Sequence, residues 1–194
     1  ADIHNLKPGL DGVDISKDTH LDHIWAKLIN HCISLPEKQR QIFINQLANK
    51  AHINIEINLP SEYRAMPWDK VRELSENGIN IGAHTRTHPI LSTVPIESLE
   101  NEISKCKYII EEKIQKTVSS FCYPNGQPSD YSTIVKNVVQ QSGYTDACVA
   151  FHDGSSPGDL FELRRHAIGN NMFQFYKVVS GVELLGYKLG RIIT

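Results

Sequence analysis

Apolar positions recur at helical spacing along most of the chain, and short apolar runs fall between the helical stretches. Ile24, Trp25, Leu28 and Ile29 mark a helix over 22–32, and Ile42, Phe43 and Leu47 mark a second over 37–50. Pro36 is the first-turn punctuation between them, so the pair reads as a helical hairpin. Further on the pattern changes to helix followed by strand. Val71 and Leu74 predict a helix over 67–77, with Pro67 near its first position and Gly78 as its stop, leading into a strand over 79–83. Leu99, Ile103, Cys106, Ile109 and Ile110 predict a helix over 95–115 and a strand over 117–122. Ile134, Val135, Val138 and Val139 predict a helix over 131–142, ended by Gly143 and followed by a strand over 145–150. A strand over 163–168 and a helix over 173–185 complete the pattern.

Repeated helix–strand units imply parallel strands joined by right-handed crossovers, hence an α/β barrel or open sheet. Polar motifs follow the strands directly, where such folds place their sites. At 194 residues and 40% apolar content the chain fits one domain over 1–194, able to bury a core without disulfides or structural metals. Within it we expect a loop over 1–20, the hairpin over 21–50 and the barrel portion over 60–194.

Charge and cysteine content remove several classes of function. A net charge of -2 with thinly spread Lys and Arg gives no basic stripe for a phosphate backbone, so nucleic acid is excluded as the expected partner. Cys32, Cys106, Cys122 and Cys148 form no Cys-x-x-Cys pair and are read as mostly buried free thiols. No apolar run reaches the roughly 20 residues of a membrane-spanning helix. The chain opens at Ala1 without a signal-like region, and bacterial envelope and cytoplasm both stay open as compartments.

The chemistry concentrates in Gly82-Ala83-His84-Thr85-Arg86-Thr87-His88-Pro89, which sets two imidazoles four positions apart just beyond a predicted strand. Such a pair can share one cation, although a catalytic zinc site usually takes three protein ligands. The competing reading is that one histidine caps a helix and the other packs. The Glu of the His-Glu-x-x-His metalloprotease motif is absent.

The surroundings of the pair favour the metal. Trp68-Asp69-Lys70-Val71-Arg72-Glu73-Leu74, Gly78 and the run from Ile81 to His88 are similar to the second motif of the polysaccharide deacetylase (NodB-like) family and the helix before it. The resemblance continues through Glu102-Ile103-Ser104-Lys105, Phe121-Cys122-Tyr123-Pro124-Asn125-Gly126 and Gly143-Tyr144 with Ala147, and covers about Met66 to Ile168. It implies an incomplete or distorted (β/α) barrel, with the helical hairpin as an insertion. It also implies a hydrolase that removes acetyl groups from a polysaccharide or other glycan. By match, His84 and His88 are two ligands of a divalent metal, usually zinc, that activates water and polarises the acyl carbonyl. The 121–126 segment resembles the family's third motif. It implies a groove side at Tyr123 and Pro124 and an oxyanion-facing backbone N–H at Asn125, although Pro-Asn-Gly is also a tight-turn sequence by itself.

The sequence also departs from the family. An Arg that orients the catalytic base in many members is replaced by Cys122. Leu163-Arg164-Arg165-His166 resembles a later Leu-Pro-Arg segment, so Arg165 is the candidate guanidinium, with a surface ion pair as the alternative. His166 and His152 are candidate general acids by residue type alone. The family's opening Thr-Phe-Asp-Asp-Gly, source of the base and the third metal ligand, has no counterpart. Asp11 and Asp14 lie in a Gly-flanked loop, and Asp2, Asp18 and Asp22 are no better placed. The third ligand is therefore not identified, and the reading is that the chain begins after this motif. A barrel short of its first strand exposes edges, for which a second copy of the chain is a natural cover. The alternative function is a non-catalytic carbohydrate-binding relative, with Trp68, Tyr123 and Tyr131 as stacking surfaces, although aromatics at such positions are equally at home in a core.

Overall fold

The computed structural model describes residues 13, 20–55, 64–151, 158–168 and 170–182. The expected loop over 1–20, with its carboxylates, lies almost wholly outside these residues, as do His152 and the end of the terminal helix. The chain divides into two compact units, Ala1–Pro67 and Trp68–Thr194.

In the first unit two fourteen-residue helices, α1 (Leu21–Ser34) and α2 (Glu37–Lys50), pack on each other. Pro36 is the residue before α2, where its fixed φ of -56° suits the helix entry. Ile24, Leu28 and Phe43 form the seam, with Leu35, Leu47 and Ala51 packed around it. Trp25 and Ile42, counted on the apolar stripes, are instead 64% and 57% exposed. The turn is held by Arg40, whose guanidinium donates to the carbonyls of Cys32 (3.0 Å) and Leu35 (3.1 Å).

The second unit is the α/β body. Its described elements are α3 (Trp68–Glu76), α4 (Ile96–Ile114), β1 (Ser120–Cys122), α5 (Thr133–Gln141), β2 (Asp146–Val149), β3 (Leu163–Arg164) and α6 (Met172–Val179). The strands form a parallel sheet in the order β1-β2-β3. Ser120, Phe121 and Cys122 face Asp146, Ala147 and Cys148, while Cys148 and Val149 face Leu163 and Arg164. The stretch predicted as a strand over 79–83 contributes one bridge only, Ala83 to Phe121. Gly82 sits so close to β1 that a Cβ there would lie 3.2 Å from the Ser120 carbonyl oxygen. Apolar composition alone therefore promised more ladder than this segment makes.

Alternation along the strands separates two faces. Phe121, Ala147 and Val149 are buried, whereas Ser120, Cys122, Asp146 and Cys148 are half-buried. The buried face meets Leu99, Ile103 and Cys106 of α4 and Val135 and Val139 of α5, with Tyr123 and Tyr144 in the same core. Ser132 caps α5 by accepting from the Val135 N–H. Gln115 ends α4 in the left-handed conformation, its N–H donating to the Glu111 carbonyl at 2.8 Å. The Tyr144 hydroxyl donates to the Ile103 carbonyl (3.0 Å), tying the turn before β2 to α4.

Candidate metal centre

The two histidines of the sequence motif flank a loop that is fixed from three sides. Ala83 anchors its start on β1: the Ala83 N–H donates to Ser120 (3.0 Å), and the Cys122 N–H donates to Ala83 (2.8 Å). Cys106 of α4 donates its thiol to the Thr85 carbonyl (3.2 Å). Glu102, buried on the same helix, takes hydrogen bonds from the backbone N–H of Arg86 (3.0 Å) and Thr87 (2.9 Å) and from the Thr87 hydroxyl (3.0 Å). Thr85 and His88 both adopt left-handed backbone, with φ of 61° and 58°, and the Thr85 hydroxyl accepts from the His88 N–H at 3.0 Å. Left-handed residues other than Gly persist only where their surroundings hold them. Here the Glu102 carboxylate and the Thr85 hydroxyl do so.

This loop brings the imidazoles of His84 and His88 together, with ring centroids 4.8 Å apart and planes at 80°. His84 is half-buried and His88 exposed. His84 Nδ1 lies 2.7 Å from the Cys122 carbonyl oxygen, which can only accept, so Nδ1 carries the proton and Nε2 keeps its lone pair. That arrangement is how ligating histidines are oriented from behind. Burial lowers the pKa of His84, the Cys122 carbonyl opposes this, and the charges of His88 and Arg165 lower it further. The neutral imidazole a metal needs is thus favoured. Among the described residues no three His, Cys, Asp or Glu side chains converge on one point, so the fit to a metal is partial.

The remaining candidates surround the ends of β1, β2 and β3. Asn125 is exposed between buried Pro124 and buried Gly126, with left-handed φ of 54°. The Gly126 N–H donates to Pro124 (2.6 Å), whereas no described residue accepts from the Asn125 backbone N–H. The side chains of Tyr123 and Pro124, expected along a groove, are buried. The Tyr123 ring stacks on Tyr131 at 4.4 Å and 17° and meets Phe121 edge-on at 5.4 Å. An aromatic after a strand suits a groove or a core, and here the alternation of β1 puts it on the core face. Of the three aromatics considered for sugar stacking, Tyr123 is buried, Tyr131 is half-buried and Trp68 is exposed.

Arg165 directly follows β3. Its backbone N–H (3.1 Å) and its Nε (3.3 Å) both donate to the Val149 carbonyl, and its charge acts on His84, Cys122 and Cys148. His166 is half-buried next to it. The residue that sequence reasoning missed is Glu102. The resemblance covers its segment but gives it no role, and only the position of α4 behind the histidine loop reveals its task.

A parallel sheet backed by helices, with paired histidines beyond its strand ends, defines an α/β domain of the deacetylase type. The polysaccharide deacetylase family model matches residues 41–147, and the chain belongs to that family. The Streptococcus pyogenes deacetylase PplD, solved in complex with acetate, is 18% identical to the chain. The alignment covers 61% of this chain and 52% of that one, with a TM-score of 0.54, which speaks for a shared fold. A polysaccharide deacetylase from Bacillus cereus is also 18% identical, over 65% of this chain and 42% of its own, with a TM-score of 0.45. The chain thus spans about half the length of the S. pyogenes protein. No curated protein sequence matches it.

Proposed function

We propose that this domain is a metal-dependent deacetylase that removes acetyl groups from a polysaccharide or other glycan, with His84 and His88 as two ligands of a divalent cation such as zinc. The observation that carries the reading is the pair of rings 4.8 Å apart with Nδ1 of His84 held on the Cys122 carbonyl. A divalent cation held there supplies a Lewis acid that lowers the pKa of water and polarises an acyl carbonyl.

The chain's own residues carry the rest. His84 and His88 bind through neutral imidazole nitrogens, and Glu102 holds the loop between them. Asn125 offers a backbone N–H to charge developing on the carbonyl oxygen, a contribution typically worth roughly 3 kcal/mol of barrier. Arg165 sets a positive charge beside His84 and takes the place of the arginine that Cys122 replaces. The third ligand is not identified, and the sequence has no counterpart of the Asp-Asp motif that would supply it and the general base. Activity in this chain is therefore impaired, the loss of the base alone slowing the rate by about 10²–10⁴-fold.

Calorimetric titration of the purified chain with zinc tests this, with His84→Ala as the control. One-to-one binding that His84→Ala abolishes is the expected result. Equal binding by the parent and His84→Ala rejects the site.

A further inference from the structure

We propose that Cys122 and Cys148 form a dithiol pair that closes reversibly to a disulfide by exchange with a low-molecular-weight disulfide. The two residues are direct partners in the parallel ladder of β1 and β2. Neighbouring strands run about 4.8 Å apart, within the Cα separation of roughly 4.4–6.8 Å that disulfides occupy. Ladder partners project to the same face. Here that is the half-buried face, opposite the core that holds Phe121, Ala147 and Val149. Burial raises the pKa of both thiols, and the Arg165 guanidinium opposes that rise at each.

Cys106 does not compete for this partner, because it is buried on α4 with its thiol committed to the Thr85 carbonyl. β1 ends at Cys122, and just past it the Tyr123 N–H donates to the Cys148 carbonyl at 3.1 Å, which keeps the two cysteines in register. A bridge between direct ladder partners held by the sheet has little freedom to reach the preferred disulfide dihedral, and strained bridges are the readily reduced ones.

The step balances as two exchanges. One cysteine thiolate attacks a sulfur of glutathione disulfide, forming a mixed disulfide and releasing one glutathione thiolate. The second cysteine then attacks the protein-side sulfur, forming the Cys122–Cys148 bond and releasing the second glutathione thiolate. Each protein thiol gives up its proton to solvent, the protein is oxidised by two electrons and glutathione disulfide is reduced. Cys122 also presents the carbonyl that holds His84, so the bridge would form one peptide unit from the candidate metal centre.

The test incubates the reduced chain with glutathione disulfide, blocks the remaining thiols with an alkylating agent and follows intact mass and tryptic peptides. The expected product keeps two of the four thiols alkylatable and is lighter than the reduced chain by two hydrogens before alkylation. It links peptide 117–136 to peptide 137–164, which cleavage after Lys136 separates. Cys122→Ser and Cys148→Ser should each retain a single glutathione adduct on the remaining cysteine. Four alkylatable thiols, stable glutathione adducts on both residues of the parent chain, or a bridge to Cys32 or Cys106 would each overturn the proposal. Zinc binding does not enter the readout, so the metal reading stands or falls separately.

Discussion

Glu102 holds Thr87 at two points, accepting from its backbone N–H at 2.9 Å and from its hydroxyl at 3.0 Å. With the third bond, from the Arg86 N–H, the carboxylate is the floor of the loop that carries His84 and His88. Hydrogen bonds to a buried charged acceptor are stronger than neutral ones, and a buried donor left without a partner costs its desolvation. We expect Glu102→Ala to destabilise the domain by roughly 3 kcal/mol, and Glu102→Gln by less because its amide oxygen still accepts. Urea unfolding followed by circular dichroism checks this. A change in Glu102→Ala no larger than that of an exposed Glu on the same helix, such as Glu100, would remove the loop-holding role.

A second carboxylate gives a prediction in pH. Asp159 accepts from Lys136 Nζ at 2.8 Å and from the Phe161 N–H at 2.8 Å, and these two bonds, the lysine first, lower its pKa. Lowering means that the unfolded chain takes up the proton first as pH falls. The stabilisation is therefore complete above the ordinary aspartate pKa of about 3.9 and is lost as pH drops from there through the folded value. Asp159→Asn should lower the thermal midpoint at neutral pH, and its difference from the parent should shrink as the pH falls below about 4. A difference that stays constant down to the lowest pH at which the chain folds would mean that the ion pair contributes nothing.

Much of this architecture was legible because helices announce themselves over many residues. The predicted helices over 37–50, 95–115 and 131–142 correspond to α2, α4 and α5 with ends shifted by at most two residues, since their periodicity is sustained and their ends carry punctuation. The strands were legible as apolar runs but not in length. A strand is defined by its partner, and the run over 79–83 finds one for Ala83 alone. The histidine pair was visible because two polar rings at fixed spacing after an apolar run stand out. Glu102 and the Cys122–Cys148 register were not visible, because both depend on contacts between segments distant in sequence.

Two buried tyrosines make a matched pair. The Tyr144 hydroxyl donates to the Ile103 carbonyl, whereas the Tyr123 hydroxyl is buried with no partner among the described residues. Burial raises both well above the ordinary tyrosine pKa, so both are neutral at physiological pH. Removing a paired hydroxyl leaves the carbonyl wanting, while removing an unpaired one relieves a desolvation cost. We expect Tyr144→Phe to destabilise by about 1 kcal/mol and Tyr123→Phe to be neutral or stabilising by up to about 1 kcal/mol. Thermal unfolding of both variants decides the matter, and equal losses would show that Tyr123 has a partner after all.

The turn that presents Asn125 depends on Gly126 for two separate reasons. Its φ of 70° lies where side chains cost roughly 1–2 kcal/mol, and a Cβ there would sit 2.7 Å from the Ala150 nitrogen and 3.2 Å from the Tyr123 carbonyl oxygen. That nitrogen donates to the Gly126 carbonyl at 2.9 Å, so it cannot retreat without breaking the bond that ties the turn to the end of β2. Gly143 shares the positive φ, at 79°, but a Cβ there meets nothing within 4 Å. Gly143→Ala should therefore cost only the backbone strain, about 1–2 kcal/mol. Gly126→Ala should add the cost of overpacking, for a total of roughly 3 kcal/mol or more. If the two alanine variants unfold at the same urea concentration, the close approach to Ala150 is not a constraint, and the conformation of Asn125 does not depend on it.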